Sequence, residues 1–203
     1  MDSNYWDDKY STEDYVYTKL ENRFVVEYCQ DLEGTTAIDL AGGEGRNSVY
    51  LAKRGWQVEN IDFSQVALDK YLKFAQEERV LDKCSLTCSS ALEFNPKTTP
   101  VDLGVIAYLQ INQPDLKTAI LRLVSNIKPG GHLFGVWHSR DNLTGGFGGP
   151  RDPEVLPDVA TITEALEGSN LEIKVLMNRD GQIQTREGLK PSVTLVLLAQ
   201  VKL

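Results

Sequence analysis

Residues 37–47, AIDLAGGEGRN, with NIDFS following at residues 60–64, decide the fold of this chain. An apolar run carrying Asp39 breaks into Gly42, Gly43 and Gly45. That pattern reads as a buried strand turning sharply into a helix. Glycines reach positive φ and, lacking side chains, let a ligand lie against bare backbone N–H groups at a helix N-terminus. From Gly43 to Asp62 there is room for one helix and one returning strand. This βαβ step puts Asp62 at the tip of the neighbouring strand, where a carboxylate accepts from ribose hydroxyls.

Spacing separates the competing nucleotide folds. The dinucleotide fingerprint G-x-G-x-x-G needs glycine three residues after Gly45, and Ser48 stands there. No lysine followed by Ser or Thr makes a triphosphate loop, and only Arg46 could meet a phosphate. Asp39 through Gly45 instead reads D-x-A-x-G-x-G, which resembles motif I of the class I S-adenosylmethionine (SAM) methyltransferases, with Ala41 in place of the first of three alternate glycines. Residues 101–108 (VDLGVIAY) and 127–134 (IKPGGHLF) match that family's fourth strand and its fifth-strand loop. Residues 5–10 (YWDDKY) and 13–24 (EDYVYTKLENRF) resemble the opening of small bacterial methyltransferases of the tellurite-resistance type. Of that group's glycine, proline and asparagine only Asn22 is kept, with Thr18 and Glu21 in the other places. NLTGGFGGPRDPEVLP at 142–157 is similar to a Gly-Gly-Pro loop in some of its members.

The resemblance implies SAM as cofactor, S-adenosylhomocysteine as product, and a set of roles. Asp39 would orient the turn or reach the amino acid moiety; Ala41, Gly42, Gly43 and Gly45 would contact the ligand through backbone. Arg46 and Asn47 open the following helix, and Arg46 would pair with the SAM carboxylate or remain a solvated helix residue. Asp62 would hold the ribose, with Phe63 against adenine and Ser64 next to it. After the third strand an acid usually holds the adenine amino group; here Ser90 and Ala91 stand in that region. Ala107 and Tyr108 would approach the sulfonium, Tyr108 offering its ring face to the cation, with Gln110 just beyond. His138, ending the fifth strand, is the candidate base, whereas His132 reads as structural. Arg140 and Asn142 share the rim and are read as surface loop residues by default.

Bulk properties bound the rest. A chain of 203 residues suits one α/β domain. With 29 acidic against 21 basic residues it is poorly suited to polyphosphates, so nucleic acid is not expected as a partner. Cys29, Cys84 and Cys88 fall in no metal-ligand pattern, so no metal is expected, and Cys84 and Cys88 read as small buried residues. The acidic, polar opening is not a signal peptide and no apolar run has the length of a membrane span, which sets a cytoplasmic expectation.

Hydrophobic spacing gives a flanking helix at 18–30 (Leu20, Phe24, Val25, Tyr28), within a lid region at 1–33 whose Trp6, Tyr10, Tyr15 and Tyr17 serve as an aromatic cover or as surface staples. Strands follow at 36–40, 57–61, 85–88, 102–107 and 132–138, with helices at 45–54, from Ser64 to about residue 79, and from Pro114 to about 128. Pro129-Gly130-Gly131 reads as a break. Residues 140–157 hold four glycines and three prolines and read as an active-site loop. A helix at 161–166 and strands at 171–177 and 193–201 complete the order β-α-β-α-β-α-β-α-β-α-β-β. The expected fold is a doubly wound, mostly parallel seven-stranded sheet with a C-terminal antiparallel hairpin. The expected reaction is methyl transfer to a small-molecule nucleophile. A SAM-binding regulatory protein without turnover and a nicotinamide oxidoreductase are the alternatives.

Overall fold

Short buried apolar strands alternating with amphipathic helices give a parallel sheet its crossovers, and the computed structural model, which describes residues 3–185 and 187–203, has this organisation. Strands β1 (Thr36–Leu40), β2 (Gln57–Asp62), β3 (Cys84–Cys88), β4 (Val101–Ala107), β5 (Ile127–His138), β6 (Leu171–Thr185) and β7 (Gly188–Val201) form one sheet in the order β3-β2-β1-β4-β5-β7-β6. The first five pair in parallel and β7 runs antiparallel to both β5 and β6. Helices α1 (Ser3–Tyr10), α2 (Arg23–Cys29), α3 (Arg46–Lys53), α4 (Gln65–Glu77), α5 (Gln113–Val124), α6 (Asn142–Gly145) and α7 (Val159–Leu166) cover it. Two apolar clusters lie on opposite faces, one around Trp137, Ile120 and Leu166, the other around Phe24, Tyr71 and Phe134. Among the described residues no helix is long and apolar enough to cross a membrane.

Local chemistry sets the helix boundaries and corrects several expectations. Asn22 caps α2 by accepting from the Phe24 N–H, so the helix starts at Arg23 rather than near residue 18 and leaves Leu20 exposed. Ser64 caps α4 and Asn112 caps α5 in the same way. The α5 helix stops at Val124, short of residue 128, because β5 already begins at Ile127. Pro129-Gly130-Gly131 is therefore an irregularity inside β5, where the register against β4 shifts between Val101 and Leu103. Between β3 and β4 the chain makes turns, with no helix, so the strict alternation fails at that crossover. The terminal hairpin is longer than expected: β6 and β7 stay paired through the polar residues 178–193, of which Arg186 lies outside the described residues. Met1 and Asp2 of the polar opening also lie outside them. Cys84 is half-buried and Cys88 exposed, because β3 is an edge strand.

Candidate active site

The C-terminal ends of β1, β2, β4 and β5 bring the candidate residues to one crevice. Asp39, fully buried on β1, accepts from the Ser48 hydroxyl at 2.7 Å. Ser48, which broke the dinucleotide fingerprint, thus braces the turn. Burial pushes the Asp39 carboxyl up from its ordinary 3.8 to about 6, against the Ser48 hydroxyl and the Arg46 guanidinium, which favour the charged form. Ala41 takes the left-handed conformation (φ 56), the geometry that makes glycine usual at this place. Its N–H donates to the Ile61 carbonyl at 2.7 Å. Gly43 also has positive φ (55), and its N–H donates to Asp62 Oδ2 at 2.9 Å. The other oxygen of Asp62 accepts from the Ser64 N–H at 2.9 Å. Burial raises the Asp62 carboxyl above its ordinary range despite these two bonds. The two sequence signals, glycine turn and strand-tip acid, are therefore joined by a hydrogen bond.

The turn also holds acceptors without donors. Asp39 Oδ1 and Asn60 Oδ1 are buried and have no hydrogen-bond partner among the described residues. A Cβ on Gly42 would come within 2.5 Å of Asn60 Oδ1 and 2.8 Å of Asp39 Oδ2, so both groups crowd the turn. An orphaned buried acceptor costs about 1–3 kcal/mol, and a ligand ammonium relieves such a cost. The residues present therefore fit the amino acid and ribose ends of SAM.

On the far side of the crevice, Arg46 sets its guanidinium 5.9 Å from the ring centroid of Tyr108. Tyr108 follows β4 in a left-handed conformation (φ 63), held by its N–H on the Val136 carbonyl at 2.8 Å, and lies 4.8 Å from the His138 ring. The Nδ1 atom of His138 is buried and without a partner among the described residues. Burial lowers the proton affinity of this imidazole below its ordinary value. Ala107, half-buried, precedes Tyr108 at the end of β4. Phe63 is half-buried after Asp62, and its carbonyl accepts from the Cys88 thiol at 3.6 Å. The Ser89 N–H on the Asp62 carbonyl (2.9 Å) carries Ser90 and Ala91 to the same edge, where Ser90 Oγ accepts from the Leu92 N–H at 3.2 Å.

Other candidates are occupied by structural work. The Asn47 side-chain oxygen accepts from the Asn22 N–H at 2.9 Å, which anchors the N-terminal segment and gives Asn47 a structural role. Gln110 accepts from the His138 N–H at 2.8 Å and donates to the Val155 carbonyl at 2.6 Å, so it braces the rim and its amide is not free to act on a substrate. Asn142 is buried and ties Phe147, Gly148 and Val193 together. Arg140 bonds the Leu156 carbonyl and Asp158. The loop at 140–157 is consequently stitched to its surroundings. His132 lies half-buried in β5 opposite Gln200, away from the crevice.

Sequence reasoning named Trp6 and Tyr10 as a cover but missed Asp7 and Glu44, which fasten the N-terminal segment over the turn. Tyr10 is buried, and a Cβ on Gly43 would sit 2.9 Å from its hydroxyl. Asp7 accepts from the Ser64 hydroxyl at 2.6 Å. Glu44, inside the glycine turn, accepts from the Val16 and Tyr17 N–H groups at 3.0 and 3.1 Å and pairs with Lys70 at 3.0 Å. Trp6 stacks on Tyr10, whereas Tyr15 packs against Phe74 of α4, so the aromatic cluster divides between cover and staple. Its spacing carried no periodic signal; only charged Glu44 amid glycines hinted at a fixed partner.

Comparison with known proteins agrees with this geometry. Residues 37–131 match the family described as a methyltransferase domain. The tRNA 5-carboxymethoxyuridine methyltransferase of Escherichia coli (strain K12) is 28% identical over 155 residues, covering 70% of this chain and 59% of that protein. The chain thus spans less than two thirds of the length of this curated relative. Among solved structures, the N-methyltransferase NodS from Bradyrhizobium japonicum WM9 in complex with S-adenosyl-L-homocysteine superposes with a TM-score of 0.73 at 17% identity, covering 98% of this chain and 97% of that one. TehB from Haemophilus influenzae gives 0.73 at 18% identity over 98% and 67% of the two chains. At such identities the likeness to solved structures is one of fold. Residues 37–131 thus carry the likeness to a methyltransferase domain, and nearly the whole chain shares its fold with the S-adenosylhomocysteine-bound NodS.

Proposed function

We propose that this protein transfers a methyl group from SAM to a small-molecule nucleophile bearing a removable proton. The observation that carries this reading is the continuous line Arg46, Tyr108, His138, which runs from the glycine turn to an imidazole with an unpartnered buried nitrogen. In this reading Asp62 and the Gly43 turn hold the ribose, Asp39 receives the ammonium, Arg46 meets the carboxylate, and Phe63, Ser90 and Ala91 border the adenine. Bound SAM would supply an electrophilic methyl group on its sulfonium sulfur, which leaves as the neutral thioether of S-adenosylhomocysteine. Tyr108, fixed by the Val136 carbonyl, presents its ring to positive charge, a contact worth about 0.5–2 kcal/mol. His138, kept neutral by burial, takes the proton from the acceptor as the new bond forms. Tyr10 and Trp6 exclude water from above.

The whole chain acts as one unit in this proposal, cytoplasmic, with residues 3–22 as cover and 140–157 as the opposite wall. The resemblance of residues 5–24 to the tellurite-resistance-type enzymes suggests, by family analogy, thiols and heavier chalcogen nucleophiles as acceptors. The relative that acts on tRNA offers a second acceptor class, but a net charge of −8 disfavours a polyanion. The test is to incubate the protein with SAM and a broad panel of thiols, alcohols and amines and to measure S-adenosylhomocysteine by mass spectrometry. Turnover is expected with at least one acceptor, slowed by about 10²–10⁴-fold in His138→Gln. Tight SAM binding without turnover would overturn the catalytic reading in favour of a regulatory protein, and unchanged turnover in His138→Gln would remove that residue as base.

A further inference from the structure

The pairing of β5 with β7 ends at His138 opposite Thr194, yet β6 and β7 remain paired out to Thr185 opposite Gly188. The excess forms a two-stranded arm that leaves the sheet at the edge where β4 and β5 deliver Tyr108 and His138. The arm is fastened at its base. The Phe147 N–H donates to the Pro191 carbonyl at 2.8 Å, the Val193 N–H to Asn142 Oδ1 at 2.9 Å, and the Arg23 guanidinium to the Asp180 carbonyl at 3.4 Å.

Residues directly opposite in an antiparallel pair share a face, so Ile183 and its partner Lys190 point the same way. That face is turned to the loop at 140–157. Lys190 Nζ lies 5.4 Å from the ring centroid of Phe147. A Cβ on Gly148 would come within 2.6 Å of Ile183 Cδ1 and 3.6 Å of His138 Cε1. One bare glycine thus separates the isoleucine from the imidazole edge. Ile183 is half-buried, in an arm whose other side chains here are largely polar, so its position beside His138 has no counterpart in the packing of the arm itself.

Resting on the methyl-transfer reading above, we propose that Ile183 is a specificity-determining residue, which with Gly148 walls the acceptor space beside His138 and limits the girth of the acceptor there. An apolar wall next to a neutral imidazole and a tyrosine ring selects a slim, uncharged nucleophile in its protonated form over bulky or anionic ones.

The test uses the full chain with Ile183→Ala and Ile183→Trp. The first readout needs no turnover: diethyl pyrocarbonate labels histidines, the chain has only His132 and His138, and mass spectrometry follows each separately. His138 is expected to label several-fold faster in Ile183→Ala and more slowly in Ile183→Trp, with His132 and S-adenosylhomocysteine affinity unchanged. Equal labelling of His138 in all three proteins overturns the proposal. The second readout is methylation of 2-mercaptoethanol against 2-naphthalenethiol. The ratio of large to small acceptor is expected to rise by at least about tenfold in Ile183→Ala and to fall in Ile183→Trp. A constant ratio, with turnover present, overturns the specificity role and leaves the methyl-transfer reading standing. Absence of turnover with both thiols in wild type counts against the thiol reading, and the labelling still decides whether Ile183 walls His138.

Discussion

Replacing Asp39 with asparagine should make the ligand-free protein more stable at neutral pH while weakening its hold on the cofactor. The carboxyl is fully buried and raised from 3.8 to about 6, first by burial. Because the folded state binds this proton more tightly than the unfolded state, the contribution of Asp39 to stability is complete below the unfolded value and is lost as pH rises through about 6. At 1.36 kcal/mol per pH unit, the gap amounts to about 3 kcal/mol at pH 7. The asparagine side chain would carry no charge, and its oxygen would still accept from Ser48. Its amide would be a donor next to Asn60 Oδ1, an orphaned acceptor crowding the same glycine. Urea denaturation of wild type and Asp39→Asn between pH 4 and 8 checks this. The two should be nearly equal at pH 4, with the variant gaining by up to about 3 kcal/mol at pH 7. Its affinity for S-adenosylhomocysteine should fall if, as proposed, the charged Asp39 receives the ligand ammonium. Parallel stability curves over this range would refute the reasoning.

At Asp102 the sign is opposite. Burial raises its carboxyl, but the Lys128 ammonium and the N–H and hydroxyl donors of Thr35 and Thr36 outweigh it and hold it well below the ordinary range. Asp102→Asn should cost about 1.5–3 kcal/mol at pH 7, a deficit that shrinks as pH falls through the carboxylate range, measured by thermal or urea unfolding; a pH-independent deficit contradicts it. Gly43→Val puts a β-branched residue at φ 55 beneath the Tyr10 hydroxyl; calorimetry should detect no S-adenosylhomocysteine binding, and normal binding would show that the turn does not touch the ligand. Glu44→Gln should speed hydrogen exchange of residues 12–22 and leave the sheet untouched, because Val16, Tyr17 and Lys70 lose a charged partner; unchanged protection would show that Glu44 does not anchor the N-terminal segment.

The fold was legible because local signals agree with one another. Asp39, the three glycines and Asp62 stand at βαβ spacing, and Ser64 and Pro114 mark helix starts that the structure keeps to within a residue or two. Errors fell where tertiary contacts override local pattern. Residues 18–22 look helical by apolar spacing, yet Asn22 binds Asn47 and caps the next helix, which fixes a turn. The polar stretch at 178–193 has no apolar alternation, and its strands form because Asn142, Phe147 and Arg23 supply partners from elsewhere in the chain. The same cause hid Ile183 from sequence reading. Gln110 and Asn47 looked available because a polar side chain beside a crevice gives no hint that backbone groups distant in sequence already occupy it.

Titration calorimetry of S-adenosylhomocysteine into wild type and Asp62→Asn tests the central claim most directly. Asparagine keeps the size of the side chain but can accept from only one of the Gly43 and Ser64 N–H groups, and it removes the charge that a ribose hydroxyl would meet. One site per chain is expected in wild type, weakened in the variant by about 1.5–3 kcal/mol, roughly 10- to 150-fold. No binding by wild type, or equal affinity in the two proteins, would contradict a cofactor held at this turn.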